Sequence, residues 1–215
     1  MKIDILTLFP KMFEGVMSES ILGRAVKKGL IEVKIHDLRQ WAWNSYGAVD
    51  DKPFGGGVGM LLRVDVIDKA LRAIDSGEKI QDSRTILTSA RGKKFDQAKA
   101  EEWSKLERLI FICGRYEGVD QRVAENLVDE EISIGDYVLT GGELPTMCMI
   151  DATARLIAGV LGKDESSQEE SFSGPERKIE YPQYTRPQEY QGWKVPEELL
   201  SGDPKKIEEW KKKAK

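Results

Sequence analysis

Ile3, Ile5 and Leu8 alternate with polar neighbours over residues 1–9, the period of a strand with a buried face, and Pro10 ends the run. Met12, Phe13, Val16 and Met17, then Ile21, Leu22, Ala25 and Val26, recur at helical spacing, with Gly29 as a natural stop. Ile31, Val33 and Ile35 alternate with Glu32, Lys34 and His36 as a second strand. Strand, helix, strand is the opening of an α/β sheet. Further on, the pattern predicts a helix over 64–74 closed by Gly77, then a short strand over 85–88 running into a turn at 89–92. Asp96 can cap a helix carrying Ala98, Trp103 and Leu106. Residues 109–113 (LIFIC) are apolar without a break, as a central parallel strand covered on both faces requires. A helix is expected from Asp120, a short strand around Ile132 and Ile134, and an apolar helix over 143–161. The expected fold is α/β, a mainly parallel sheet with helices on both faces.

Three strands in this reading end in loops of one character, after Thr88, after Cys113 and after Ile134. Ligands of open α/β sheets sit outside the carboxyl ends of the strands, so these loops make a plausible cradle. On spacing alone they read equally as ordinary strand-to-helix connections. None carries G-x-G-x-x-G, which disfavours a dinucleotide site. A long loop over 37–60 holds Trp41, Trp43, Tyr46 and the glycine-rich VDDKPFGGGVGM; it lacks the Gly-Lys-Ser/Thr of a Walker loop, leaving a lid, an RNA-facing loop or a structural turn. Asp151 and Arg155 stand at same-face helical spacing, either as a structural ion pair or as an arginine presented to substrate. Helix 143–161 is apolar on every side, which predicts that it packs at a two-fold interface.

Composition narrows the classes. A net charge of −4 means that nucleic-acid binding would depend on local basic patches. Asp151 and Arg155 interrupt the longest apolar stretch, and the first residues lack a cleavable-signal pattern, so no membrane span is expected and a cytoplasmic location is the default. Cys113 and Cys148 both lie in apolar runs and read as buried reduced thiols. One histidine, His36, offers little for zinc or a Ser-His triad, and no metal site is expected. Beyond residue 162 the apolar period disappears in an acidic, then mixed linker. The tail resumes with Trp193, a helix capped by Asp203 with Pro204 at its first position, and a run of terminal lysines.

LTLFPKMF (6–13), VDDKPFGGGVGM (49–60), CGRYEGVDQR (113–122), SIGDYVLTGGELP (133–145) and YPQYTRP (181–187), in this order, resemble the bacterial tRNA (guanine-N(1)-)-methyltransferases. These are knotted, SPOUT-type, S-adenosylmethionine-dependent enzymes that methylate the guanosine immediately 3′ of the anticodon. The resemblance implies a deep trefoil knot in a methyltransferase domain over 1–160, a linker over 161–180 and a small, mostly helical tRNA-binding domain over 181–215. It implies a methyl-donor site made by Leu87, Gly114, Tyr116, Glu117, Gly118, Ile134, Gly135, Asp136, Tyr137, Val138, Leu139, Gly141, Gly142 and Pro145. The pair Gly141-Gly142 is expected to leave room for adenosine. The tRNA anticodon stem-loop is the implied partner, a homodimer with shared active sites the implied assembly, and Mg²⁺ a possible further cofactor. Arg155 falls at the family's catalytic arginine. Aligning on Ser171-Phe172 puts Glu170 where the family has an aspartate as base, one methylene longer. The chain also stops after its first C-terminal helix, where many members continue with basic helical sequence.

Overall fold

The computed structural model describes residues 1–75, 82–161, 170–174 and 176–214. It divides into two compact units, residues 1–162 and 163–215.

The first unit is built on a five-stranded sheet made of β1 (Lys2–Thr7), β2 (Glu32–Asp37), β5 (Ser83–Lys94), β6 (Arg108–Cys113) and β7 (Glu130–Ser133). The order is β2-β1-β6-β5-β7, and every neighbouring pair is parallel. Alternation sends Ile3 and Ile5 of β1 and Leu109, Phe111 and Cys113 of β6 to one face. There they pack with Phe13, Met17, Trp103, Met147 and Ile150 from α1 (Glu14–Ser18), α4 (Gln97–Trp103), α6 (Glu143–Ala154) and the turn before α1. Leu6, Leu87 and Ile112 point to the other face, against Val66, Ile67 and Ala70 of α3 (Val64–Ile74) and Val123 of α5 (Gln121–Asn126). α2 (Ser20–Lys27) closes a third cluster with Ala154 and Val160. The doubly covered sheet explains the unbroken apolar run of β6.

Several expectations are corrected. β5 does not turn at 89–92 but runs on to Lys94, pairing Lys93 with Ile132 and Lys94 with Ser133 after an irregularity beyond Thr88. Gly92 permits this approach, because a Cβ there would stand 2.4 Å from the Ile132 nitrogen. α6 stops at Ala154 and gives way to turns instead of running on to 161, and within this chain Leu144, Cys148 and Asp151 form an exposed stripe at helical spacing. Cys148 is therefore exposed, while Cys113 is buried as expected. Gly77, the predicted stop of α3, and most of the linker stretch before Glu170 lie outside the described residues.

Toward the amino ends of the strands, Asp4 of β1 is buried between two partners. It accepts from Arg108 Nε at 2.8 Å and meets His36 Nε2 at 2.7 Å, while Arg108 also donates to the Ile74 carbonyl at 2.9 Å. Burial pushes the Asp4 carboxyl up, but the hydrogen bonds and charges of His36 and Arg108 outweigh it and hold the group below its ordinary value.

In the second unit, β8 (Glu189–Tyr190) and β9 (Trp193–Lys194) form an antiparallel hairpin that the sequence pattern does not announce. α7 (Glu197–Leu200) leads to α8 (Pro204–Lys213), capped by Asp203, whose carboxylate accepts from the Lys205 nitrogen at 3.0 Å. Tyr181 and Tyr184 meet the Trp210 ring edge-on at 6.4 and 6.0 Å, forming the unit's small aromatic core.

Because Asp4 is needed to compensate a buried guanidinium, Asp4→Asn should cost about 3–5 kcal/mol at pH 7. A depressed native carboxyl contributes stability above the unfolded-state value and loses it as pH falls through the native value. The deficit measured by urea unfolding should therefore hold from pH 7 to 5 and shrink below about pH 4. An equal deficit at every pH would contradict the network.

Candidate methyl-donor site

A cavity of about 450 Å³ opens beside residues 87–91 of β5 and the carboxyl ends of β6 and β7, a size in the range of small-molecule sites. It brings together Leu87, Gly114, Tyr116, Glu117, Gly118, Ile134, Gly135, Tyr137, Val138, Leu139, Gly141, Gly142 and Pro145 from the set expected there. Asp136 is the exception: it is not among the lining residues, and its carboxylate pairs instead with the Lys94 ammonium. Apolar side chains and glycines dominate the walls, so polar recognition would fall to the backbone groups of the three loops.

The loops are held by local hydrogen bonds. Thr88 Oγ1 donates to the Ile112 carbonyl at 3.1 Å and accepts from the Gly114 nitrogen at 3.3 Å, locking the end of β5 to the end of β6. Ser133 Oγ accepts from the Gly135 nitrogen at 3.2 Å and shapes the turn out of β7. The Tyr137 ring folds back toward that turn, its hydroxyl donating to the Ile134 carbonyl at 3.3 Å. Tyr116 sits at φ +61°, a strained left-handed conformation. Burial raises the pKa of its phenol, and the neighbouring Asp50 carboxylate raises it further, so it stays protonated.

The glycine pair is explained differently than expected. A Cβ on Gly142 would lie 1.9 Å from Thr88 Oγ1 and 2.8 Å from both the Cys113 Cα and the Gly114 nitrogen. On Gly141 it would meet Arg115 Nε at 2.3 Å. The missing side chains make room for Thr88, Cys113 and Gly114 at Gly142 and for the Arg115 side chain at Gly141, while both glycines also line the cavity. Here the chain returning from β7 lies against Thr88 and Cys113, with the Gly142 nitrogen donating to the Gly114 carbonyl at 2.8 Å.

Residues that the sequence reading passed over secure this approach. Arg115 Nε donates to Glu143 Oε2 at 2.8 Å, its Nη1 to the Thr140 carbonyl at 3.0 Å, and its guanidinium lies 4.3 Å from the Phe9 ring centre. Glu143, fully buried at the first position of α6, also accepts from Thr7 Oγ1 at 2.7 Å. The available signal was a charged residue heading an otherwise apolar helix. Ser89, Ala90 and Arg91, from the segment after Thr88 expected to join the cradle, also line the cavity, as does Gln121, which was not anticipated.

The two expected catalytic residues fall in different units. Arg155 is half-buried at the C-terminal cap of α6, its backbone nitrogen bonded to the Asp151 and Thr153 carbonyls. Glu170 belongs to the second unit, where its carbonyl accepts from the Ser173 nitrogen at 3.1 Å. Among the described residues no three His, Cys, Asp or Glu side chains converge as a metal-binding group.

A parallel α/β sheet with a cavity walled by loops beside its carboxyl edge is the arrangement in which open α/β proteins bind small molecules. The model of the family described as tRNA (Guanine-1)-methyltransferase TrmD matches residues 1–215. Three relatives carry the name tRNA (guanine-N(1)-)-methyltransferase. That of Geobacter sp. (strain M21) is 52% identical over 213 residues, 99% of this chain and 84% of the relative. That of Carboxydothermus hydrogenoformans is 53% identical over 99% of this chain and 82% of the relative. That of Staphylococcus carnosus is 50% identical over 100% of this chain and 86% of the relative. The chain belongs to the tRNA (guanine-1)-methyltransferase family.

Gly142→Ala should cost at least about 1–3 kcal/mol by overpacking, read as a lower midpoint of chemical denaturation. A midpoint equal to the parent's would contradict the close approach.

Proposed function

We propose that the protein transfers a methyl group from S-adenosylmethionine to N1 of the guanosine immediately 3′ of the anticodon in tRNA. The observation that carries the reading is the strand-end cavity, in a chain that matches its family from end to end. The cavity suits the donor's adenosine: Leu87, Ile134, Val138, Leu139 and Pro145 supply apolar walls, and residues 114–118 and 134–142 supply backbone groups to its rim. The bound donor supplies an electrophilic methyl carried on a sulfonium.

Guanine N1 carries a proton near neutral pH and is a poor nucleophile until that proton leaves. Glu170 takes it as general base, a role worth about 10²–10⁴-fold. Negative charge then develops on guanine O6, and the Arg155 guanidinium stabilises it. Tyr137, Val138 and Leu139 line the cavity and would stand beside the bound donor.

The two units divide this work, with 161–180 as linker and the part from 181 onward engaging the tRNA through the lysines of α8. A homodimer would complete each site with the partner's linker, and the exposed stripe Leu144, Cys148 and Asp151 of α6 supports such an interface. A trefoil knot is supported by two features: the run of β5 beyond Thr88 alongside β7, and the return of the chain at Gly142 against Thr88 and Cys113. No helix among the described residues is long and apolar enough to cross a membrane, and the enzyme would meet its tRNA in the cytoplasm.

Labelled methyl transfer to tRNA transcripts tests the reading. Transcripts with guanosine beside the anticodon should accept the methyl on the base, and those with adenosine there should not. Methylation of a ribose oxygen, or cofactor binding without turnover, would overturn it. Glu170→Gln should lower single-turnover methylation by about 100-fold or more with donor affinity unchanged, while Glu170→Asp should keep substantial activity.

A further inference from the structure

The loop leading into β4 (Leu61–Leu62) is rigid at its base and bare at its tip. Its base is pinned by β3 (Asp50–Asp51), which pairs antiparallel with β4. The Arg63 nitrogen donates to the Val49 carbonyl at 3.0 Å, and the Arg63 guanidinium holds Asp51 at 3.0 Å, Asp65 at 2.9 Å and the Trp43 ring at 4.7 Å. The exit of the loop is tied to the rim of the cavity. The Glu117 nitrogen donates to the Met60 carbonyl at 3.1 Å, and the Leu62 nitrogen to the Gly118 carbonyl at 3.0 Å. Gly59 lies so close to the Glu117 side chain that a Cβ would stand 2.3 Å from its Cγ. Loop and cavity therefore share Leu61, Glu117 and Gly118.

The tip is the opposite. Phe54 is 99% exposed and Val58 93% exposed, and they bracket Gly55, Gly56 and Gly57, all at positive φ. Nothing lies within 4 Å of a Cβ built on Gly55 or Gly56, so the tip packs on no other part of the first unit there. Lys52 is exposed beside it. A phenyl ring left wholly in water contributes nothing to folding, yet here it is held on a braced loop that continues directly from the cavity rim.

We propose that the 52–58 tip is a stacking platform for an unpaired base of the RNA substrate. Phe54 takes the face of the base, Val58 backs it, and Lys52 meets the neighbouring phosphate. An aromatic face beside a cation is the chemistry that holds single-stranded nucleotides without reading their sequence. The inference rests on the tRNA reading above and deepens it, assigning a substrate contact to a loop outside the donor cavity. An unpaired anticodon-loop base fits better than a second protein copy, because the tip is narrow, glycine-flanked and continuous with the site where the target guanosine must arrive.

The test measures binding of a synthetic anticodon stem-loop RNA to the full chain. Phe54→Ala should weaken binding about 5- to 150-fold, the range for losing one base-aromatic stack. Phe54→Trp should restore it to near the parent's value and Phe54→Leu should not. Affinity for S-adenosylhomocysteine by calorimetry and the sedimentation coefficient should be the same in all four proteins. RNA affinity of Phe54→Ala equal to an active parent's would overturn this inference alone. RNA loss accompanied by a changed sedimentation coefficient would also overturn it, assigning the tip to a second copy. A parent that neither binds nor methylates the stem-loop would overturn the tRNA reading and this inference with it.

Discussion

The structure depends on one close approach, in which the chain leaving β7 comes back at Gly142 against Thr88 of β5 and the Cys113 end of β6. The Gly142 nitrogen bonds to the Gly114 carbonyl at 2.8 Å. No side chain fits there, so the approach fixes where the 134–141 loop lies and hence the roof of the cavity. It also fixes where α6 begins. The first residue of α6, Glu143, is fully buried, a costly place for a carboxylate unless it is paired. Arg115 and Thr7 supply the partners, and Arg115 in turn holds the Thr140 carbonyl. One ion pair thus couples the loops after β6 and β7 to the helix that follows them.

The sheet carries buried charge at both ends, with different consequences. Toward its amino edge, Asp4, His36 and Arg108 tie β1, β2 and β6 together around a satisfied network that nothing else needs to enter. At its carboxyl edge, the Arg115–Glu143 pair lies under a cavity left open above it. The first is a structural fastening; the second supports a floor on which a ligand can be positioned. Beside that floor, the braced loop ending in Phe54 extends the surface outward from Glu117.

Local periodicity made most of the sheet legible. β1 was announced by Ile3 and Ile5, although Leu8, grouped with them in the pattern, lies beyond the strand and packs with Leu6 on the other face. The apolar run of β6 announces a strand covered on both sides. The segments after β6 and β7 were legible as loops, and the residues expected at the site converge as the resemblance implied, apart from Asp136. What was missed depends on partners far away in sequence. Residues 89–92 look like a turn because of Gly92, yet Gly92 is what allows β5 to lie against β7. Arg115 and Glu143 are 28 positions apart, so no local pattern couples them. The β8–β9 hairpin has only two residues per strand, too few for alternation to register. Cys148 reads as buried because its neighbours are apolar, yet it falls on the one face of α6 that the chain leaves uncovered.

The central claim is that the cavity beside residues 87–91 of β5 and the carboxyl ends of β6 and β7 holds the methyl donor. Amide hydrogen exchange of the protein with and without S-adenosylhomocysteine tests it most directly. The account predicts slowed exchange in residues 114–118 and 134–142, with β2 and α3 unchanged. Slowed exchange confined to the β2 and α3 side of the sheet, or none in the 134–142 loop at saturating ligand, would contradict it.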